Sequence, residues 1–315
     1  MKIGFLFPGQ GSQSAGMGKD LYEKYECYRD VYEKVKKITG IDVAEITFGE
    51  NNEKLNETKY TQISILTMSL AILEILKQNN INAEISAGLS LGEYTALIYS
   101  NLFTFEDGIK IVEKRGKYMQ DFAPQGNWSM AAILGLEDEK VELACNKVTK
   151  GFVKPVNFNC TGQVVISGEA EAVEEAGEIA KELGAKKVRI LNTSGPFHTE
   201  KLIESAEMLE KDLEKVNYQN FNTKVVKNLD GEFYKSNDDY KNILKKHIIS
   251  PVKFSKCIQT MLENGIDTFI EIGPGKTLSG FVKRMQNNDN INILNICDID
   301  SLEKTLKCIK EAENE

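Results

Sequence analysis

A serine between two glycines is the first candidate for chemistry in this 315-residue chain. Gly88-Leu89-Ser90-Leu91-Gly92 follows a short predicted strand, Ala83 to Leu89, and precedes a predicted helix over 91–100. In a nucleophile elbow the serine occupies a sharp turn between strand and helix, and the glycines keep side chains from crowding it. The helix N-terminus also stabilises negative charge that develops near the serine. The pattern therefore favours a reactive Ser90 over a structural turn.

A serine hydroxyl needs a base within hydrogen-bond reach to act as a nucleophile. The chain has two histidines, so a histidine base has two candidates. His198 stands in a loop, Gly195-Pro196-Phe197-His198, whereas His247 ends a lysine-rich helix where a solvated surface position is the default. We expect His198 to be the base. No Asp or Glu stands in a recognisable motif between Ser90 and His198, so a backbone carbonyl or an amide is expected to orient the ring.

The third candidate is Arg115, which lies in Lys114-Arg115-Gly116-Lys117 on a predicted helix over 104–122. A planar guanidinium can hold a carboxylate through two parallel hydrogen bonds, which an ammonium does less well. One interpretation is a clamp for a substrate carboxylate. The other, which the pattern taken alone favours, is one more exposed cation.

Other ligand classes fail on spacing or residue type. The dinucleotide pattern G-x-G-x-x-G starting at Gly9 would need glycine where Ser14 stands, and a phosphate loop ending in Gly275-Lys276-Thr277 would need glycine in place of Ile270. Two histidines exclude a multi-histidine metal cluster, so no metal site is expected. A net charge of −8 argues against a nucleic-acid surface.

Composition and the N-terminus predict a cytoplasmic protein. Hydrophobic residues make up 41% and charged residues 27%, which supports a buried core. The apolar stretch Ile3 to Phe7 is too short for a signal peptide. No apolar run approaches the roughly 20 residues of a membrane-spanning helix. The six cysteines form no C-x-x-C pair and are expected to be reduced thiols.

Helices alternating with short β-branched strands predict an α/β fold with a mostly parallel sheet covered on both faces. Residues 127–192 have their own order, strand-helix-strand-strand-helix-strand, which is the ferredoxin-like split unit. We therefore expect a large α/β domain formed by 1–126 and 193–315, with a small inserted ferredoxin-like α+β subdomain at 127–192. Outside that unit, the pattern predicts strands at 2–7, 83–89, 222–228, 268–272 and 291–296, and helices at 18–38, 61–78, 91–100, 104–122, 199–216, 239–248, 254–264 and 301–313.

Further motifs stand in a fixed order along essentially the whole chain. They are Phe7-Pro8-Gly9-Gln10-Gly11-Ser12-Gln13, Gly88-Leu89-Ser90-Leu91-Gly92-Glu93-Tyr94, Arg115-Gly116-Lys117-Tyr118-Met119-Gln120, Val156-Asn157-Phe158-Asn159, Gln163-Val164-Val165-Ile166-Ser167-Gly168, Gly195-Pro196-Phe197-His198, Pro251-Val252 and Glu271-Ile272-Gly273-Pro274-Gly275. In this combination the chain resembles the malonyl-CoA:acyl carrier protein transacylases, the acyltransferases of type II fatty-acid synthesis.

The resemblance implies a ping-pong reaction without a bound cofactor. Malonyl would pass from malonyl-CoA to Ser90, with His198 as base and coenzyme A as leaving group, and then to the phosphopantetheine thiol of acyl carrier protein. The backbone amides of Gln10 and Leu91 would form the oxyanion hole. Arg115 would pair with the malonyl carboxylate. The fold would be a hydrolase-like α/β core with a ferredoxin-like subdomain.

Two positions depart from the family's pattern. Leu89 stands where the elbow usually has histidine, at a position without a catalytic role. His247 stands where the family usually has a glutamine whose backbone carbonyl orients the histidine base. Histidine also has a backbone carbonyl, so position 247 can still orient the base. Because the resemblance places this position at the active site, we place His247 in the substrate pocket, which argues against the surface position inferred above from its lysine neighbours.

The resemblance also implies an acidic carrier protein as partner, so a positive surface near the site is expected. The candidates are Lys186, Lys187 and Arg189 before the His198 loop, and Lys276, Lys283 and Arg284 on a late helix. Each of them taken singly is more simply explained as a solvated charge. We expect a monomer that binds neither nucleic acid nor membrane.

Other functions stay open. A serine thioesterase or esterase would share Ser90 and His198 without needing Arg115. A polyketide-pathway acyltransferase would differ in the pathway that it supplies. A non-catalytic subunit that binds carrier protein is a further alternative, although the serine, histidine and arginine argue against it.

Overall fold

The computed structural model describes residues 1–50, 52–191, 195–286 and 290–313. The first part of the chain contains β1 (Ile3–Phe7), α1 (Lys19–Lys24), α2 (Glu26–Thr39), α3 (Val43–Phe48), a 3₁₀ turn (Glu53–Asn56), α4 (Thr58–Gln78), β2 (Ile85–Gly88), α5 (Leu91–Tyr99) and α6 (Phe105–Asp121). The single helix predicted at 18–38 is wrong, because α1 ends at Lys24. The Arg29 side chain donates to the carbonyls of Tyr22 and Glu23, which satisfies that helix end.

The middle of the chain forms an antiparallel sheet with two helices. Its elements are β3 (Trp128–Leu134), α7 (Asp138–Asn146), β4 (Val153–Cys160), β5 (Gln163–Glu169), α8 (Ala170–Glu182) and β6 (Lys187–Ile190). The strand order β4-β5-β3-β6 confirms the predicted ferredoxin-like unit. The boundaries at 127 and 192 stay a prediction, and residues 192 and 193 lie outside the described residues.

The last part of the chain completes the large sheet. Its elements are a 3₁₀ turn (Glu200–Leu202), α9 (Ile203–Leu213), β7 (Lys224–Val225), α10 (Tyr240–Ile249), α11 (Phe254–Glu263), β8 (Thr268–Ile272), α12 (Thr277–Met285), β9 (Asn292–Ile296) and α13 (Ile299–Glu313). The order β7-β2-β1-β8-β9 is parallel throughout, which confirms the expected α/β class.

Both faces of the parallel sheet are covered, as the buried strands predict. Phe5 and Phe7 of β1 join the larger core cluster, which contains residues of α2, α4, α5 and α6. Leu6, between them, joins the second cluster, with residues of α11 and α12. Because β7, β2 and β1 are neighbours, the segments that follow them meet at one edge of the sheet, where ligands bind in such folds.

One helix is long and apolar enough to cross a membrane by length and composition alone. It is α4, whose most apolar stretch is 78% buried inside the protein. The expectation that no apolar segment approaches that length is therefore wrong, because small polar residues such as Ser64, Thr67 and Ser69 interrupt the apolar run without adding charge. All three are fully buried, so α4 is a core helix.

Candidate active site

Ser90 lies in a sharp turn between β2 and α5. Its φ of 53° is in the left-handed region, which non-glycine residues rarely adopt, and it is the N-cap residue of α5. The turn requires both glycines. A Cβ on Gly92 would lie 1.9 Å from the Phe7 carbonyl oxygen, and one on Gly88 would lie 1.9 Å from the backbone of Gly92. The chain therefore forms the elbow that the G-x-S-x-G pattern predicts.

The structure brings Ser90 and His198 together across 108 positions of sequence. The distance from Ser90 Oγ to His198 Nε2 is 2.7 Å, and the distance from His198 Nδ1 to the backbone oxygen of His247 is 2.9 Å. A carbonyl oxygen can only accept, so Nδ1 carries the proton. The Nε2 lone pair is left to accept from the serine hydroxyl.

The imidazole of His198 is held neutral. Burial, followed by the positive charge of Arg115, lowers its pKa from 6.5 to about 4. Hydrogen bonds to the backbone of His247 and Ser250 act in the opposite direction. At neutral pH the ring is therefore an unprotonated base within reach of a hydroxyl.

Arg115 is buried beside the same hydroxyl. It is 1% exposed, so the interpretation as an exposed cation is wrong. Its Nη1 donates to Gln62 Oε1 at 2.6 Å and its Nη2 to Ser90 Oγ at 3.1 Å, and the guanidinium lies 5.0 Å from the centre of the Tyr94 ring. Its Nε has no hydrogen-bond partner among the described residues. A buried cation with spare donors beside a serine can bind a carboxylate.

Gln10 and Leu91 belong to two turns at the same edge of the parallel sheet. Gln10 follows β1 and Leu91 begins α5, and the pairing of Phe7 with Gly88 brings the two turns together. Gln10 lines the cleft with Ser90 and His198. Within the described part of the chain, neither the Gln10 nor the Leu91 backbone amide donates to another backbone group. Two such donors can stabilise an oxyanion.

Comparison with known proteins identifies the family of the chain. The sequence model described as "Acyl transferase domain" matches residues 4–297. The chain belongs to the acyl transferase domain family. It is 39% identical to the malonyl CoA-acyl carrier protein transacylase of Bacillus subtilis (strain 168) over 312 residues, 98% of each chain.

Solved structures of similar acyl transferases superimpose over almost the whole chain. The malonyl CoA-acyl carrier protein transacylase of Clostridium perfringens matches with a TM-score of 0.94 at 44% identity, covering 99% of this chain and 98% of that one. A malonyl-transacylase in complex with its type II PKS acyl-carrier protein matches with a TM-score of 0.93 at 34% identity, covering 98% and 99%.

His247 of this acyl transferase is fully buried, so the default surface position is wrong. Although α10 carries Lys245 and Lys246, its last turn packs beneath the site, and the His247 ring lies 5.5 Å from that of His198. Burial, His198 and Arg115 all lower the pKa of His247, so its ring is neutral. The backbone carbonyl orients His198, as the family resemblance implies, and the side chain points to Asn228 and does not line the cleft.

Sequence reasoning missed four buried polar residues around the acyl transferase elbow. Gln62 on α4 holds Arg115, Asn228 bonds the backbone of Ser90, and Glu93 accepts from Asn228 and from the hydroxyl of Tyr234. One signal was available, because Glu93 is a charged residue in the otherwise apolar helix α5. Burial raises the pKa of Glu93 from 4.5 to about 7.

The antiparallel sheet supplies the opposite wall of the cleft. Met130 of β3 and Val165 of β5 line it, together with Leu191 directly after β6. The predicted docking residues are all exposed: Lys186, Lys187 and Arg189 at the edge strand β6, and Lys276, Lys283 and Arg284 around α12. Arg284 donates to Gln163 Oε1 at 2.7 Å, so it also bridges to β5. No group of three metal-ligating side chains occurs among the residues that the structure describes.

Proposed function

We propose that this acyl transferase moves malonyl from malonyl-CoA to the phosphopantetheine thiol of acyl carrier protein, through an ester on Ser90, and thereby supplies fatty-acid synthesis. The observation that carries the proposal is the environment of one oxygen. Ser90 Oγ is 2.7 Å from the unprotonated nitrogen of His198 and 3.1 Å from the Arg115 guanidinium. A base and a carboxylate-binding cation converge on it. The similar proteins of known name act as malonyl transacylases.

In the first half-reaction, Ser90 Oγ attacks the thioester carbon while its proton passes to His198 Nε2. The amides of Gln10 and Leu91 hold the oxyanion, and losing one such donor typically costs about 3–4 kcal/mol. The carbon–sulfur bond then breaks, and the coenzyme A sulfur takes the proton from His198. The products are free coenzyme A and the malonyl ester of Ser90.

The second half-reaction runs the same steps in reverse order with another thiol. His198 takes the proton of the phosphopantetheine thiol, whose sulfur attacks the ester carbon. The ester bond to Ser90 breaks, and the serine oxygen recovers its proton from His198. Side chains and backbone amides supply the nucleophile, base, oxyanion site and clamp, so the proposal needs no cofactor or metal.

Arg115 makes the reaction selective for an acyl group with a free carboxylate. Once Ser90 is acylated, its oxygen belongs to an ester and is a weaker acceptor, so the guanidinium loses a partner unless the acyl group supplies one. An unpaired buried charge costs roughly 2–5 kcal/mol. Acetyl-CoA should therefore react slower than malonyl-CoA by a factor of tens to thousands.

The remaining parts of the proposal concern partners and organisation. We propose that the protein acts as a cytoplasmic monomer, binds neither nucleic acid nor membrane, and docks acidic carrier protein on its exposed lysines and arginines. We also propose the units 1–126 with 193–315 and 127–192 as its domains. A malonyl transferase of a polyketide pathway would have the same active site, and one similar protein is in complex with a type II PKS acyl-carrier protein.

Intact-mass measurement after mixing with malonyl-CoA or acetyl-CoA tests the proposal directly. We expect a malonyl adduct on the wild type and on Lys117→Ala, an exposed cation near Arg115, and none on Ser90→Ala. Adding acyl carrier protein should move the adduct to the carrier. Adduct formation on Ser90→Ala would contradict the proposal, and hydrolysis faster than transfer would favour a thioesterase. Parallel assays with fatty-acid and polyketide carrier proteins separate the two pathways.

A further inference from the structure

The side-chain amide of Asn228 spans the backbone on both sides of the serine. Asn228 is fully buried, three residues after β7. Its Nδ2 donates to the Gly88 carbonyl oxygen at 2.7 Å, and its Oδ1 accepts from the Ser90 N–H at 2.8 Å. Buried backbone groups need partners, and a left-handed turn removes Ser90 from both the sheet ladder and the helix. Asn228 therefore provides hydrogen-bond partners for the Gly88 carbonyl and the Ser90 N–H at the turn.

The same oxygen also reaches the segment that holds the base. His247 Nε2 lies 3.2 Å from Asn228 Oδ1. Because Asn228 Nδ2 faces the carbonyl of Gly88, Oδ1 is the acceptor, and His247 donates to it. The backbone carbonyl of His247 in turn accepts from His198 Nδ1. Asn228 Oδ1 thus accepts from the N–H of Ser90 and from the side chain of His247, and His247 in turn holds His198 through its backbone carbonyl.

Asn228 is itself anchored to the helix that starts at Ser90. Its backbone N–H donates to Glu93 Oε2 at 2.7 Å, and Glu93 Oε1 accepts from the hydroxyl of Tyr234. Glu93 lies on the first turn of α5, and its own N–H donates to the carbonyl of Ser90 at 3.1 Å. The asparagine is therefore held from its backbone as well as from its side chain, which leaves its amide little freedom to rotate.

We infer that Asn228 is a positioning residue that sets the distance between Ser90 and His198, by bonding the elbow and the side chain of His247 to one amide. The inference rests on the proposed function, because it takes Ser90 as the nucleophile and His198 as its base. Among the described residues, Asn228 forms no hydrogen bond with Arg115 or Gln62. It therefore acts on the rate of acylation and not on recognition of malonyl.

Rapid-quench mass measurement of the malonyl-enzyme tests this role, since it separates the rate of acylation from the fraction of enzyme that reacts. For Asn228→Ala we expect a rate about 10- to 100-fold below wild type, the loss typical of a misplacement near 1 Å. The final acylated fraction and the half-saturating malonyl-CoA concentration should stay at wild-type values. A purely structural role would lower the final fraction instead.

Conservative variants extend the test. Asn228→Asp keeps the acceptor for Ser90 and His247 and places a second carboxyl oxygen against the Gly88 carbonyl in place of the donor, so its rate should lie between those of wild type and Asn228→Ala. His247→Gln keeps a donor and the backbone carbonyl and should react within about threefold of wild type, whereas His247→Leu should be slower. The double variant Asn228→Ala with His247→Leu should be no slower than Asn228→Ala alone, because both act through one hydrogen bond.

A matched control and a second reagent complete the design. Asn79→Ala also removes an amide that donates to a backbone carbonyl, that of Ile75 at 2.8 Å, and should acylate at the wild-type rate. Labelling by a fluorophosphonate measures serine reactivity without malonyl. If the wild type forms no malonyl adduct while labelling still slows in Asn228→Ala, the proposed function fails and the positioning role stands. If Asn228→Ala acylates at the wild-type rate, or loses only final fraction, the positioning role is overturned.

Discussion

The two sheets contribute to the cleft in opposite ways. The edge of the parallel sheet supplies mainly polar groups: the buried Asn228 accepts from the N–H of the half-buried Ser90, and the half-buried Gln10 lines the cleft beside them. The antiparallel sheet supplies mainly apolar side chains, among them Met130 and Val165. Buried polar groups have strict geometric requirements, whereas apolar walls respond mainly to volume. Substitutions near the parallel sheet should therefore change the rate and selectivity of acyl transfer. Substitutions on the antiparallel sheet should change how well the substrate fits the cleft and how tightly carrier protein binds.

The largest effect is expected for His198→Ala. Without the base, the rate of acylation by malonyl-CoA should fall about 10²- to 10⁴-fold, while the enzyme stays folded. Single-turnover mass measurement gives the rate, and a far-ultraviolet circular dichroism spectrum checks the fold. A rate within tenfold of wild type would show that His198 is not the general base.

The pH dependence of the same reaction is a second readout on His198. Because burial lowers its pKa to about 4, the base is unprotonated above that pH. The value of kcat/KM should stay level from pH 8 to pH 5 and decline as the pH approaches 4. A decline centred near 6.5 would show a solvated histidine.

Arg115→Ala should change selectivity more than it changes reactivity. We expect malonyl transfer to fall by a factor of tens to thousands, because a buried charge pair is lost, while acetyl transfer persists or rises. Lys117→Ala on the same helix is the matched control, since Lys117 is exposed. Competition between malonyl-CoA and acetyl-CoA measures the ratio. An equal fall in the malonyl and acetyl transfer rates would contradict the role of Arg115 in binding the malonyl carboxylate.

Glu93→Gln should alter stability as a function of pH. The folded-state pKa of Glu93 is raised to about 7 from 4.5, so the folded protein binds this proton more tightly than the unfolded chain does. The free energy of unfolding should therefore fall between pH 5 and pH 8, by on the order of 2 kcal/mol. Glu93→Gln should lack that part of the pH dependence in urea unfolding. Glu263→Gln, at an exposed site, should retain it.

The smallest effect is expected on the antiparallel sheet. Lys187→Glu with Arg189→Glu reverses charge on the exposed strand β6, and should raise the KM for acyl carrier protein several-fold, about what lost surface charge pairs provide. The KM for malonyl-CoA should not change. Lys307→Glu on α13 is the control. An unchanged KM for carrier protein would show that β6 is not part of the docking surface. Charge reversal at Lys283 and Arg284 would then test α12.

Much of the fold could be predicted from residue patterns. The predicted order of strands and helices in the ferredoxin-like unit is correct. The errors have two causes, long-range contacts and elements too short to show a period. The strand predicted at 222–228 is only Lys224–Val225. After it the backbone leaves the sheet, and Asn228 bonds to the backbone of Ser90 instead. The helix α3 was not predicted, since six residues are too few for a clear periodicity.

The candidate site divides in the same way. The G-x-S-x-G pattern of Gly88, Ser90 and Gly92 predicts the tight turn between strand and helix from the sequence alone, although the need for glycine at 92 also comes from the Phe7 carbonyl of the neighbouring strand β1. Whether Arg115 is a clamp or a surface charge, and whether His247 is buried, depends on how helices distant in sequence pack. The amide of Asn228 carries no sequence signal, since its partners are the backbone of Gly88 and Ser90 and the side chain of His247, all distant from it in the sequence. The sequence therefore predicts the turn, and only the tertiary structure decides which buried polar groups surround it, because hydrogen bonds between distant segments leave no periodic pattern in the chain.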